Sequence, residues 1–354
     1  MKSTQMLARN PDPALGRQRE ERQERKHELP RSHPTLRVAT VPPVSAPGYS
    51  LVTLANGVRS VRSHAEAETF HPVIGPAAEA EALYVRQLRL RGRLAAHTGE
   101  FVIWDVGLGA AANALTVLRA TRDLPCQVRL ISFDHTLEPL RFALQHGKEL
   151  GYFGGFEELV ATLLAEGEAE QTTGPQRVSW QVHVGDFPTW LRLADSNPAL
   201  ADVPPLPAGE GRGEGERVLH SLASAVPAPH AILFDAFSPA KNPEMWTLPL
   251  FARLFRRLAP ARPCAMPTYS RATLLRVTWL LAGFHVGVGH ATGEKEETTL
   301  AANTLDLLDE PLDRKWLERA RRSTSAEPLH EAKYRQAPLT DETWERLQAH
   351  PQFA

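Results

Sequence analysis

The residues at 231–246 put chemistry at the end of an apolar run. Ala231, Ile232, Leu233 and Phe234 are followed by Asp235 and a loop that reads DAFSPAKNPEMW over 235–246. A short apolar run ending in an acid, then Ser-Pro and Asn-Pro turn signals, predicts a buried strand that delivers a carboxylate to the carboxyl edge of a sheet. Open α/β sheets bind their ligands at that edge. Upstream, Phe101, Val102, Ile103 and Trp104 run into Asp105, Val106, Gly107, Leu108 and Gly109, and then into an alanine-rich segment that holds Asn113. That pattern predicts a strand, a turn whose glycines leave room for a ligand, and a helix whose unpaired N–H groups face the same space.

Two further runs end in acids. The run 128–133 stops at Asp134, and the alternating run 178–184 leads into Gly185, Asp186 and Phe187. A lone G-x-G is weak, and a tight turn without a ligand is its plain alternative. A dinucleotide site wants a third glycine, where Ala112 stands, and an acid about 20 residues on. Asp134 instead ends the next strand, beside the turn, where a carboxylate can accept both hydroxyls of a ribose. An N-cap is the commoner role for any one such Asp. Four acids in order, each closing a strand, make the arrangement of an S-adenosylmethionine methyltransferase. The fold expected is α/β and Rossmann-like, a mostly parallel seven-stranded sheet with helices on both faces.

The elements that must hold these groups follow from periodicity. Apolar spacing near 3.6 predicts helices over 110–122, 138–150, 243–258 and 271–282. Short strands at 51–54 and 60–63 and a helix from 77 to about 90 form a lead-in that would close one side of the pocket. After Pro260 a fifth strand is expected, but Pro263 and Pro267 each remove a ladder donor there. The domain reading is a disordered N-terminal extension over 1–45, the lead-in over 46–94, a methyltransferase core over 95–303, and a C-terminal helical tail over 304–354. Within the core, 196–229 is rich in Gly and Pro and reads as a flexible surface insertion.

Asp235 to Trp246, the turn from Asp105 to Gly109, and the segment 75–85 with Glu81 and Tyr84 resemble the methyltransferase half of the bacterial MnmC proteins, over roughly 51–303. Those proteins finish the 5-methylaminomethyl group on the wobble uridine of certain tRNAs. The resemblance implies S-adenosyl-L-methionine as cofactor and tRNA as partner. It departs from the family at Ala236, where DAFSP stands for the more usual DGFAP, and at Asp134, often Glu. The flavin oxidase of the two-domain forms would need about two hundred further residues with their own glycine fingerprint. No G-x-G-x-x-G follows Asn303, so the stand-alone form, without flavin, is expected.

Composition agrees with a cytoplasmic enzyme. Hydrophobic residues make up 42% and charged residues 23%, and no apolar run approaches the roughly 18 residues a membrane helix needs. Cys126 and Cys264 are too few for a disulfide scaffold. The histidines show no metal-ligand spacing, so no metal is expected. With 40 basic against 41 acidic residues, cationic contacts to tRNA must be local. Arg86, Arg89, Arg91 and Arg93 are one set, and Arg314, Lys315, Arg319, Arg321 and Arg322 another; a solvated helix face is the alternative for both. The segment 293–299 reads as a charged hairpin in which Lys295 alone is a weak contact.

Methyl transfer displaces a sulfonium carbon in line, so the enzyme has mainly to align the acceptor and exclude water. On this reading the cofactor set is Asp105, Gly107, Gly109, Asn113, Asp134 and Asp186, with Glu81 and Tyr84. Asp235 is the catalytic residue, orienting an aminomethyl group and taking its proton. Phe237, Pro239 and Asn242 shape the uracil pocket, with Phe237 able to stack on the base; Lys241 meets a phosphate or caps the loop, and Tyr269 and Ser270 face the substrate. Competing readings are a methyl or aminopropyl transferase acting on a small-molecule amine, and a binding module that kept the fold without catalysis.

Overall fold

The computed structural model describes residues 48–195, 226–293 and 296–354. The extension at 1–45, nearly all of the insertion at 196–229, and Lys295 lie outside the described residues.

Strands β1 (Tyr49–Thr53), β2 (Arg59–Ser63) and β3 (Glu68–Thr69) make a small antiparallel sheet. A second sheet holds β4 (Glu100–Val106), β5 (Gln127–Asp134), β6 (Glu168–Thr173), β7 (Gln176–Val184), β8 (Ala231–Phe234), β9 (Ala265–Thr268), β10 (His285–Gly289), β11 (Thr298–Ala302) and β12 (Glu310–Pro311). Its order is β12-β10-β11-β9-β8-β4-β5-β7-β6. The run β9-β8-β4-β5-β7 is parallel, and β11 lies antiparallel between β9 and β10. This is the seven-stranded, mostly parallel sheet expected, extended by β6 and β12, which pair antiparallel at its two edges. The chain leaves β4 toward β5 on one side and returns to β8 on the other. The crevice between the carboxyl ends of β4 and β8 is therefore the switch point at which such sheets take ligands.

Side-chain alternation along the strands builds a core on each face. Phe101 and Ile103 of β4 join Leu130 and Leu233 against the helices Ala112–Ala120, Glu138–Gln145 and Glu157–Glu166. Val102, Trp104 and Val106 join Ile232 and Phe234 against Phe187–Asp195, Leu248–Arg256 and Thr273–Leu281. Burying one large apolar side chain contributes roughly 1.5–3 kcal/mol. Central strands apolar on both faces are what a sheet covered on both sides requires.

Several elements differ from expectation. The helix expected over 77–90 starts at Pro76 after Gly75 (φ 91°), passes into a π-helical stretch at Glu81–Arg86, and breaks at Arg89, which is left-handed (φ 51°). The wider π turn lets Ala82, Leu83, Tyr84 and Val85 all face protein in succession. The 138–150 helix divides at His146, and 243–258 divides at Thr247, whose side chain caps Leu248–Arg256 by accepting from the Leu250 N–H. The doubtful fifth strand exists as β9 with Pro267 inside it. Its pairing with β8 is confined to Ala231 and Ala265, which leaves the missing proline donor outside that ladder. Helix Glu157–Glu166 and the short strands β3, β6 and β12 carry no strong sequence signal.

Candidate functional site

The turn after β4 brings glycine and acid together through the backbone. Gly107 has φ 91°, and a Cβ there would lie 2.7 Å from the Asp235 carbonyl oxygen. The glycine thus lets the turn lie against the residue that follows β8. It is not merely a gap left for a ligand, which corrects the reason first given for it. Gly109 is also left-handed (φ 51°), with Phe70 beside the missing Cβ. Around this seam lies a cavity of about 680 Å³. Gly107, Gly109, Asn113, Asp134, Asp186, Asp235, Phe237, Asn242 and Tyr269 all line it.

Each acid is held differently. Asp134 Oδ2 accepts the Gly109 N–H at 2.8 Å and Oδ1 the Thr136 N–H at 3.2 Å. His135 Nδ1 stands 3.1 Å from Asp134, and that carboxylate raises the pKa of His135. Asp186 Oδ2 accepts the Thr189 N–H at 2.8 Å, so it caps a helix while still facing the cavity. Asp235 Oδ2 accepts from Asn113 Nδ2 at 2.8 Å and lies 3.5 Å from His71 Nε2. Both of these contacts fall on Oδ2, which leaves Oδ1 for a ligand.

Five residues of the expected set do not line the cavity. Asp105 is 1% exposed and points into the sheet, where it accepts from Ser132 Oγ at 2.9 Å, and Ser132 in turn accepts from Trp180 Nε1. Burial lifts its pKa to about 7. It sits under the turn as a support, out of reach of a ligand. Tyr84 is fully buried and donates to the Phe234 carbonyl at 3.2 Å, bracing the end of β8 from below. Glu81, on the π-helical stretch, is outside the lining, and Pro239 is likewise outside. Lys241 Nζ reaches the Glu66 carbonyl at 3.3 Å and so links the loop after β8 to the turn between β2 and β3.

That small sheet supplies what sequence reading missed. Phe70 and His71 follow β3 and line the cavity, as do Glu66 and Glu68. Phe70 packs on Phe237 with ring centroids 5.9 Å apart. His71 is left-handed (φ 48°) and sits between two carboxylates, with Nδ1 3.9 Å from Glu79 Oε2. Tyr269 stands close enough to Asp235 and Glu79 that, after burial, they raise its pKa further. Among the described residues, seven carboxylates line the cavity, at 66, 68, 79, 134, 186, 235 and 244, against Arg62 as the one Lys or Arg. Such a surface suits a cation.

The arginines after the pocket helix are mostly committed to the protein. Arg89 pairs with Asp309 at 3.4 Å, Arg91 forks onto Asp123 at 2.7 and 2.8 Å, and Arg93 donates to the carbonyls of His230 and Pro263. Arg321 pairs with Asp341 at 2.6 Å. Arg314, Lys315, Arg319 and Arg322 are exposed on one face of Arg314–Arg321 and its cap. Among the described residues, no His, Cys, Asp or Glu cluster is placed to hold a metal, and no helix is long and apolar enough to cross a membrane.

The cavity suits the sulfonium of S-adenosyl-L-methionine by its excess of carboxylates, with Asp134 at the end of β5 and the Gly107–Gly109 turn on its wall. Residues 217–304 match a family model described as S-adenosyl-L-methionine-dependent methyltransferase. The chain is 26% identical over 241 residues to a tRNA 5-methylaminomethyl-2-thiouridine biosynthesis bifunctional protein MnmC of Methylibium petroleiphilum, covering 67% of this chain and 32% of that protein. It is 29% identical over 229 residues to the protein so described from Aeromonas hydrophila, covering 62% and 30%. The chain thus spans about a third of the length of these relatives. Among solved structures, MNMC2 from Aquifex aeolicus aligns with a TM-score of 0.55 at 21% identity, covering 86% of this chain and 85% of that one. That likeness is one of fold, and it bears out the Rossmann-like methyltransferase architecture.

Proposed function

Because the chain resembles the methyltransferase part of the MnmC proteins in both sequence and fold, we propose that it is an S-adenosyl-L-methionine-dependent N-methyltransferase. On this reading it converts 5-aminomethyluridine, with or without 2-thiolation, to the 5-methylaminomethyl form at the tRNA wobble position. The observation that carries the proposal is Asp235, fixed through Oδ2 by Asn113, turned toward an acidic cavity, and packed by its backbone against Gly107.

S-adenosyl-L-methionine, when bound, supplies a methyl carbon on a positively charged sulfur. The residues that would hold it are the backbone at Gly107 and Gly109, Asp134 toward the ribose, and Asp186 toward the base. Asp235 Oδ1 takes the aminomethyl group of the acceptor by a charge-assisted hydrogen bond and points its nitrogen at the methyl. Phe237 and Phe70 offer aromatic faces to the uracil ring, and Asn242 and Tyr269 complete that side. The small sheet carrying Phe70 covers the cavity and keeps water from the reacting amine. Cys126 and Cys264 are both buried thiols, which suits a reducing cytoplasm.

The test is direct. The chain is incubated with labelled cofactor and bulk tRNA carrying aminomethyluridine, and with polyamines in parallel, and nucleosides are read by mass spectrometry. Label on 5-methylaminomethyluridine supports the proposal. Label only on a polyamine moves the chain to the small-molecule reading, and no binding of cofactor by calorimetry moves it to the non-catalytic one.

A further inference from the structure

An aminomethyl group is an ammonium at neutral pH and must lose a proton before its lone pair can attack. A carboxylate with an ordinary value of about 3.9 is a weak acceptor for it, whereas an imidazole near 6.5 is well matched to that task. Resting on the methyltransferase reading above, we propose that His71 is the proton acceptor for the substrate amine, with Asp235 as the amine's anchor and Glu79 as the support of the charged imidazole.

The geometry has the parts of a nucleophile, base and orienter in line. His71 lines the cavity with its side chain 10% exposed. Its Nε2 lies 3.5 Å from Asp235 Oδ2, and its Nδ1 lies 3.9 Å from Glu79 Oε2. His71 and Asp235 thus face the same part of the cavity, where an amine held by Asp235 would meet the imidazole. Two charged groups flank this imidazole, Glu79 from Pro76–Ala80 and Asp235 from the end of β8; Asn113 stands on the other side of Asp235, and Glu68 and Tyr269 line the same cavity. The backbone at His71 is left-handed (φ 48°), a conformation that few residue types other than Gly, Asn, Asp and His adopt readily. That constraint sets the ring at the cavity wall without a helix or strand to carry it.

The step balances. The ammonium gives one proton to Nε2, and the amine lone pair then forms the N–C bond as the C–S bond breaks and its electron pair stays on sulfur. The product leaves as a secondary ammonium, and the imidazolium returns its proton to solvent.

The experiment compares kcat/KM against pH for wild type, His71→Asn and Asp235→Asn on aminomethyl-modified tRNA, with cofactor affinity measured by calorimetry for each. Asn keeps the left-handed backbone and a polar side chain. We expect wild type to lose activity as the pH falls, and His71→Asn to lose about 10² in kcat together with that pH dependence. Asp235→Asn should lower kcat with the pH dependence intact, and cofactor affinity should be unchanged in both variants. A His71→Asn profile parallel to wild type overturns the inference. So does a wild-type profile flat with pH, a result that needs no folded variant. A wild type inactive on this tRNA refutes the underlying reading and is recognised before any variant is compared.

Discussion

Asp235 and Asp105 have opposite environments, and each makes a distinct prediction. If Asp235 anchors the acceptor amine as proposed, Asp235→Ala should lower methyl transfer by about 10² or more while calorimetry finds the cofactor bound as in wild type. Full activity in that variant would remove its assigned role. Asp105 is buried and has its pKa raised to about 7, above an unfolded value of about 3.9. Between those limits the folded chain binds more protons than the unfolded one, so stability falls as pH rises through them. Asp105→Asn keeps an acceptor for Ser132 without the charge. The melting temperature of wild type minus that of the variant should therefore drop between about pH 4 and pH 7, and parallel curves would show that Asp105 is ionised throughout. Asp134, Asp186 and Asp235 were legible because each ends an apolar or alternating run. His71 and Glu79 were not, since β3 before His71 is only two residues long and Glu79 lies within a helix, so that only the tertiary fold carries them to β8. Glu79 lies two helical positions from Glu81, and a helix turns such neighbours to different sides, so the motif named the segment but not the inward carboxylate.

At the scale of elements, the segment after β9 is placed by a buried chain of bonds. Arg276, 1% exposed, donates from Nε to Thr299 Oγ1 at 3.0 Å, and Thr299 Oγ1 donates to the Ser270 carbonyl at 2.6 Å. Arg276 also meets Glu297 at 3.2 Å. Arg276→Ala breaks a buried pair, for which a cost of about 3 kcal/mol is expected. It should also raise KM, because Ser270 adjoins Tyr269 at the cavity. A denaturant melt with an unchanged midpoint would show the network to be idle. Arg91→Ala, by contrast, removes an exposed pair that water screens and should leave both the melting temperature and the KM for tRNA alone. β4, β5 and β8 were readable as apolar runs, as parallel strands covered on both faces tend to be, and β7 as an alternating one. The π-helical stretch and the Pro267 strand were not, because tertiary packing there overrides local propensity.

For the whole molecule, near-neutral net charge hides an uneven distribution. The cavity is acidic, while Arg314, Lys315, Arg319 and Arg322 share an exposed helix face. If that face meets phosphates, converting Arg314 and Arg319 to Glu should raise the KM for tRNA and flatten its dependence on salt by about two ions, with cofactor affinity untouched. An unaltered salt slope assigns the face to solvent. Gly107→Val belongs to this scale too, since its side chain would meet the Asp235 backbone. A lowered melting temperature should accompany lost cofactor binding, and a variant as stable as wild type would refute the close packing. The absent Cβ at Gly107 has one last consequence. On the proposed reading, the loop that holds the methyl donor and the residue that holds the acceptor share a single seam of main chain, so a shift in either loop would misalign both partners at once.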